Sequence, residues 1–370
     1  MSLSRWLRGH PLLSAVVLAT ALVLAAPRNV GAELAYVANF RSSTVSVIDT
    51  TTRQVSMTLP VPGAPSGPVA LAVAPNGGAL YVARSERPKG AVSRIDAATN
   101  QFGPTVAVGD DPFALAVSGD GRTLYAANFS AGTVSVIDIA TFKEAASIAP
   151  GNGPDGIALA DQGDRAYVTL FQGNSVAVID TKRNTATQTI PVGKGPIGIV
   201  HVGAHLYVAN SGDNSLSVVD LAAGKVTATI PVGETPVQIA ATVDGGTLYV
   251  TQQAGNSVAV VDTAAKKITA AIGVGTAPFG VALADGGRSL YVTNRAADSV
   301  SIIDTATNAV VGTVPVGSAP FAVAVTSGAA PSGGGCHCAI VGAPAAEPAQ
   351  LLVLLPPLLL WGAGRRRRRS

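Results

Sequence analysis

The chain has 370 residues, of which 13% are charged, with 41 glycines, 24 prolines and a formal net charge of +3. The positive sign belongs to the ends: without Arg5, Arg8, Arg28, Arg365 to Arg369 and Glu347, 17 basic residues face 21 acidic ones. A weakly acidic body with no basic stripe excludes sequence-independent nucleic-acid binding, and short apolar runs cut by Gly and Pro call for little helix.

Residues 1–32 carry Arg5 and Arg8, an apolar run from Pro11 to Ala26, and the small residues Val30-Gly31-Ala32 before Glu33. That is the order of a secretory signal peptide. An uncleaved anchor is the alternative, although the run is shorter than the ~20 residues a span takes.

From Tyr36 to Val325 one unit repeats. The seven tyrosines fall at Tyr36, Tyr81, Tyr125, Tyr167, Tyr207, Tyr249 and Tyr291, 40 to 45 residues apart, one to a repeat. Each repeat holds an apolar segment after a proline (Phe113 to Val117), a tyrosine segment (Leu290 to Asn294), an alternating segment closed by Asp (Val134 to Asp138) and a polar one ending in Pro-Val-Gly (Thr187 to Gly193). Runs rich in β-branched residues between turn residues are strands. Four per repeat over seven repeats predict an all-β fold, a seven-bladed β-propeller of four-stranded blades, over residues 33–328. The first repeat lacks its apolar segment and the last offers nothing else. A mixed N-/C-terminal blade from residues 321–326 and 33–61 therefore closes the ring and hides its edges.

The recurrent Asp49, Asp96, Asp138, Asp180, Asp220, Asp262 and Asp304 suit turns in which the carboxylate accepts from the backbone two residues on. A single active site would not need seven copies. The turns into the tyrosine strands use Gly, as in Asn76-Gly77-Gly78, Gly119-Asp120-Gly121 and Asp244-Gly245-Gly246, where a hairpin needs positive φ.

Residues 329–350 form a Gly/Pro/Ala-rich linker containing Cys336-His337-Cys338, and residues 351–370 an apolar segment followed by arginines. An arginine cluster behind an apolar segment stays cytoplasmic, so the propeller is expected outside, at the cell surface or in the periplasm, joined to the membrane through this tail at least before processing. For the cysteines three readings stand: processing or lipidation at Cys336, a redox pair, or part of a metal site, which wants about four ligands. Through Gly335, Cys336 and Arg365 to Arg369 the tail resembles bacterial sorting tails of the MYXO-CTERM kind. The resemblance implies proteolysis near the cysteine and surface attachment.

The repeats resemble the YVTN β-propeller family. Tyr291-Val292-Thr293-Asn294 is the full signature, Tyr36-Val37-Ala38-Asn39 and Tyr207-Val208-Ala209-Asn210 are near copies, and Arg84, Leu170 and Gln252 depart from it. The resemblance implies the fold and a surface or binding protein.

No reaction is announced. His201 and His205 are the only histidines of the repeats, and there is no Gly-x-Ser-x-Gly elbow, Cys-x-x-Cys-His or phosphate loop. The expectation is a non-enzymatic, monomeric scaffold without cofactor or metal, binding a protein or glycan of the cell envelope. A hydrolase or lactonase-type enzyme on the same fold is the alternative, which calls for an axial pocket with titratable groups of shifted acidity. One face stands out: Phe113, Phe279 and Phe321 follow blade-joining prolines, Phe40, Phe129 and Phe171 follow tyrosine strands, and Arg84, Asp155, Gln252 and Arg295 fall on the same side. They form a binding surface, or the rings plug blade junctions.

Overall fold

The computed structural model describes residues 33–63, 67–160 and 163–326. The leader, the linker with Cys336 and the apolar, arginine-ended tail lie outside the described residues. Seven antiparallel four-stranded sheets follow one another around a ring. Blade one joins the last strand, Pro320–Thr326, to Leu34–Asn39, Thr44–Asp49 and Gln54–Pro60, and Val37 pairs with Val323 across the closure. Blades two to seven begin at Pro68, Pro112, Pro154, Pro196, Pro236 and Pro278. Only a single turn, Asp285–Gly287, is helical among the described residues, and none of their helices is long and apolar enough to cross a membrane.

The core lies between blades. Tyr36, Val45 and Val47 of blade one pack with Leu71, Leu80 and Val82 of blade two, and each later junction repeats the arrangement. The three inner strands of a blade are therefore covered on both faces, as in Pro68–Val73, where every residue is buried. Only the outer strand faces water, as in Thr185–Pro191, with Ile190 alone buried. This explains why the alternation of the third strand is not an inside-outside alternation. Ser46, Ser135, Ser217 and Ser301 are buried too, and accept from the amides of Asn39, Asn128, Asn210 and Asn294 at 2.9 Å.

The turns follow the same economy. The aspartates closing third strands cap the next turn, mostly through the backbone three residues on, as in Asp96 to Thr99 and Asp304 to Thr307 at 2.8 Å. The two-residue reach holds at Asp49 and Asp180. The glycine after each outer strand lies against the last residue of the next tyrosine strand: a Cβ on Gly275 would stand 2.5 Å from the Asn294 amide carbon.

Candidate functional site

The inner strands converge on the axis, and the residue after each leading proline forms a ring at one mouth of the channel: Val69, Phe113, Asp155, Ile197, Val237, Phe279 and Phe321. The next residues form a second ring: Ala70, Ala114, Gly156, Gly198, Gln238, Gly280 and Ala322. Glycine is required there because neighbouring strands nearly touch; a Cβ on Gly280 would lie 2.6 Å from the Phe321 carbonyl oxygen, and one on Gly156 or Gly198 would strike the carbonyl of Ile197 or Val237. The axis is pinched accordingly. The hollow at this mouth has room for about one water, about 30 Å³, so any organic ligand sits over the axis.

The junctions beside the mouth are pinned by threonines. Thr169, Thr251 and Thr293 each accept from an inner-strand N–H of their own blade and donate to a carbonyl of the next, to Ile197 at 2.8 Å, Phe279 at 2.7 Å and Phe321 at 3.0 Å.

Five phenylalanines meet over the mouth. Phe171 lies 5.9 Å from Phe129, Phe129 5.3 Å from Phe113, Phe113 6.4 Å from Phe321, and Phe321 4.0 Å from Phe279. The Arg295 guanidinium caps the series 5.2 Å above Phe321, in contact range for a cation–π pair. Phe40 joins none of these ring pairs. Arg84 and Gln252 do not face this surface. The Arg84 guanidinium is buried against the Pro62 carbonyl at 2.5 Å and Glu86 at 3.5 Å. Gln252, buried, accepts from Ser257 at 2.6 Å in the place that asparagine takes in four other blades.

Asp155 is the exception in its ring, one carboxyl among six apolar side chains. It is half-buried, makes no hydrogen bond with another described residue, and burial pushes its acidity up to about 7. No cation offsets this, so the desolvation of a carboxylate at an apolar mouth is the whole cause. Gln238 holds the equivalent distinction in the second ring. It lines the hollow, its side-chain amide is unbonded within the described residues, and its Oε1 would stand 3.3 Å from a Cβ on Gly198, so it leans over blade five, the blade that separates it from Asp155 of blade four.

Two features were missed by sequence reasoning. Gln238 could have been found as the one polar residue at a position that is Ala or Gly in every other repeat. The connection after Arg84, residues 85–90, is two residues longer than its counterparts. Its Arg87 pairs with Asp111 and bonds Ser130, while Ser85 and Ser130 donate to Asp111 at 2.7 and 2.6 Å. Burial would raise the pKa of Asp111, but the two hydroxyls and Arg87 outweigh it and hold the carboxyl below its usual range. This cluster stiffens the rim beside Phe113 and Phe129. His201 is buried and stacks 6.1 Å from Tyr167, in a packing role. No group of His, Cys, Asp and Glu among the described residues is placed to hold a metal ion.

Residues 34–148 match the family model described as a seven-bladed β-propeller lactonase, and residues 201–288 match a YNCE-like β-propeller. No curated protein gives a significant match. Among solved structures, the chain is similar to hydrazine synthase of Kuenenia stuttgartiensis, with 24% identity, 70% of this chain and 92% of that one covered, and a TM-score of 0.61. It is similar to a functionally unknown protein of Desulfotomaculum acetoxidans, with 15% identity, coverages of 81% and 99%, and a TM-score of 0.70. A candidate 6-phosphogluconolactonase of Bacteroides uniformis matches with 17% identity, coverages of 79% and 99%, and a TM-score of 0.67. With 1505 solved chains matching, these likenesses establish the fold, which hosts many activities. The lactonase match over blades one to three corrects the expectation of a non-enzymatic protein. The physical reason for the error is that ester hydrolysis needs no linear motif, only a base and a hydrogen-bond donor held over an apolar surface.

Proposed function

We propose that the protein is a lactonase-type hydrolase whose reaction takes place at the phenylalanine-lined channel mouth. The observation that carries this reading is Asp155, the single carboxyl in an apolar ring, with its acidity displaced to about 7. The lactonase match ends at residue 148, just before it, and supports the reaction class independently. A flat lactone ring lies on Phe113, Phe279 and Phe321, its carbonyl toward Gln238. The Asp155 carboxylate takes a proton from a water, whose oxygen attacks the carbonyl carbon. The Gln238 amide N–H donates to the oxygen as it becomes an oxyanion. The ring C–O bond then breaks, the leaving alkoxide takes the proton back from Asp155, and a hydroxy acid departs. A base with a proton affinity near neutral is suited to both transfers.

The exported location belongs to the same proposal. Signal-peptide order at the N-terminus and the sorting-type tail, with its resemblance to MYXO-CTERM ends, support hydrolysis at the cell envelope.

The test is a pH-stat assay of purified protein at pH 8 on a panel of γ- and δ-lactones. Wild type hydrolyses at least one of them, and Asp155→Asn, with unchanged circular dichroism, loses about 10²- to 10⁴-fold in kcat/KM. Absence of turnover across the panel, or an Asp155→Asn variant as active as wild type, overturns the proposal.

A further inference from the structure

The opposite face of the propeller carries a groove that the repeat does not require. It runs between blades two and three, holds about 590 Å³, and is walled by Ala74, Pro75, Ala79, Ile139 and Ala140, with Tyr81 and Arg94 inside and Asp120 at its edge. Two departures from the repeat coincide there.

The first concerns the tyrosine hydroxyl. In most blades it is bonded to the turn after the third strand of the next blade. Tyr36 donates to Asn100 at 2.7 Å, while Tyr125, Tyr207 and Tyr249 pair with Thr181, Thr263 and Thr305. In blade three those two turn positions are Ile139 and Phe142. Neither can accept a hydrogen bond. Phe142 stacks 6.1 Å from the Tyr81 ring instead, and the Tyr81 hydroxyl keeps no partner among the described residues while lining the groove. Tyr291 also lacks a partner, but its hydroxyl is sealed from solvent.

The second departure is Arg94. Its equivalents are Val47, Val136, Val178, Val218, Val260 and Ile302, all packed in the blades. Arg94 is the only charged residue at that position, its Nε is buried without a hydrogen-bond partner, and it makes no ion pair. Asp96, which feels the Arg94 charge, is engaged by the backbone and hydroxyl of Thr99 at 2.8 and 2.9 Å. Asp120 at the edge follows the repeat: its Oδ1 caps its own turn through Ser118 and the Arg122 N–H, as Asp244 does through Thr242 and the Gly246 N–H; its second oxygen has no such bond.

An unpaired guanidinium and an unpaired phenol in one apolar-walled groove are two donors converging on the same space, and a partly buried charge without a partner is costly. We infer that the groove between blades two and three binds a small organic carboxylate, its oxygens taken by Arg94 and Tyr81 and its body lying against Pro75, Ala79 and Ile139. A planar guanidinium fork matches a carboxylate, and Asp120 at the edge disfavours a multiply charged anion such as phosphate.

The test uses benzoate as probe, with benzamide as the neutral isostere and inorganic phosphate as the generic anion, followed by ligand-observed NMR titration. Arg94→Val installs the residue of five other blades. Tyr81→Phe removes only the hydroxyl. Ile139→Thr returns the hydroxyl partner of the repeat. Benzoate is expected to bind saturably and competitively with other carboxylates, with benzamide and phosphate at least about tenfold weaker. Arg94→Val weakens benzoate about tenfold or more, and Tyr81→Phe and Ile139→Thr weaken it severalfold. Lactone hydrolysis at the other face stays unchanged in all three variants, which separates this site from the channel mouth. Benzoate affinity unaltered by Arg94→Val, equal affinity for benzamide, or no saturable benzoate binding overturns the inference.

Discussion

Asp155 and Asn294 show how the same fold treats two polar side chains. Asn294 is buried, spends its amide on Ser299 and Ser301, and is held by the Cβ-free surface of Gly275. It is architecture. Asp155 is half-buried and spends its carboxyl on nothing, so the molecule carries the cost of an ionised group at an apolar mouth. The sign of that cost is fixed by its direction. The folded carboxyl holds its proton up to about 7 against an ordinary value of 3.8. Stability is therefore full below the ordinary value, declines as pH rises through that window, and stays low above it. Asp155→Asn removes the penalty. Its melting temperature is expected to exceed that of wild type at pH 8 by a few degrees and to match it at pH 4, as read by paired thermal melts.

At the scale of strands, the residues that look most like a motif turn out to be joints. Threonine of the full signature bridges two blades at Thr293, donating to Phe321 of the mixed blade that closes the ring. Replacing it with valine keeps the shape and strands a buried carbonyl and the Gly280 N–H. Thr293→Val is expected to cost about 1–3 kcal/mol in chemical denaturation, while Thr307→Val, at an exposed turn, costs less. Strand order, blade count and the mixed blade were legible in the sequence because turn residues and tyrosines recur at a fixed interval. So was the aromatic face, since Phe113, Phe129, Phe171, Phe279 and Phe321 occupy two repeated positions. Arg84 and Gln252 misled because a departure from the repeat was equated with exposure. Both lie in the buried asparagine position, where a longer side chain finds other internal partners. Gln238 and Arg94 were passed over for the converse reason: each stands out in the aligned repeats as a polar residue at a small or apolar position, but only the packing around it reveals that its polar group is unbonded.

On the scale of the whole molecule, the two faces of the ring have different characters. One is apolar, aromatic and pinched to a water-sized axis, with a lone carboxyl on blade four and a lone amide on blade six, on either side of blade five. The other is built of capped turns, broken by a groove where Tyr81 loses the partner that the repeat would supply and Arg94 stands in place of a packed aliphatic residue. Sevenfold repetition makes the scaffold rigid without help from either site, and chemistry is free to reside in single substitutions on inner strands. The central claim is that Asp155 is the base for hydrolysis, and the pH dependence of kcat/KM for the best lactone tests it most directly. With Asp155 required in its ionised form, kcat/KM rises with pH through an inflection at about 7 and levels off above it, and the inflection disappears in Asp155→Asn. A wild-type profile without an inflection near 7, or one that persists unchanged in Asp155→Asn, would contradict it.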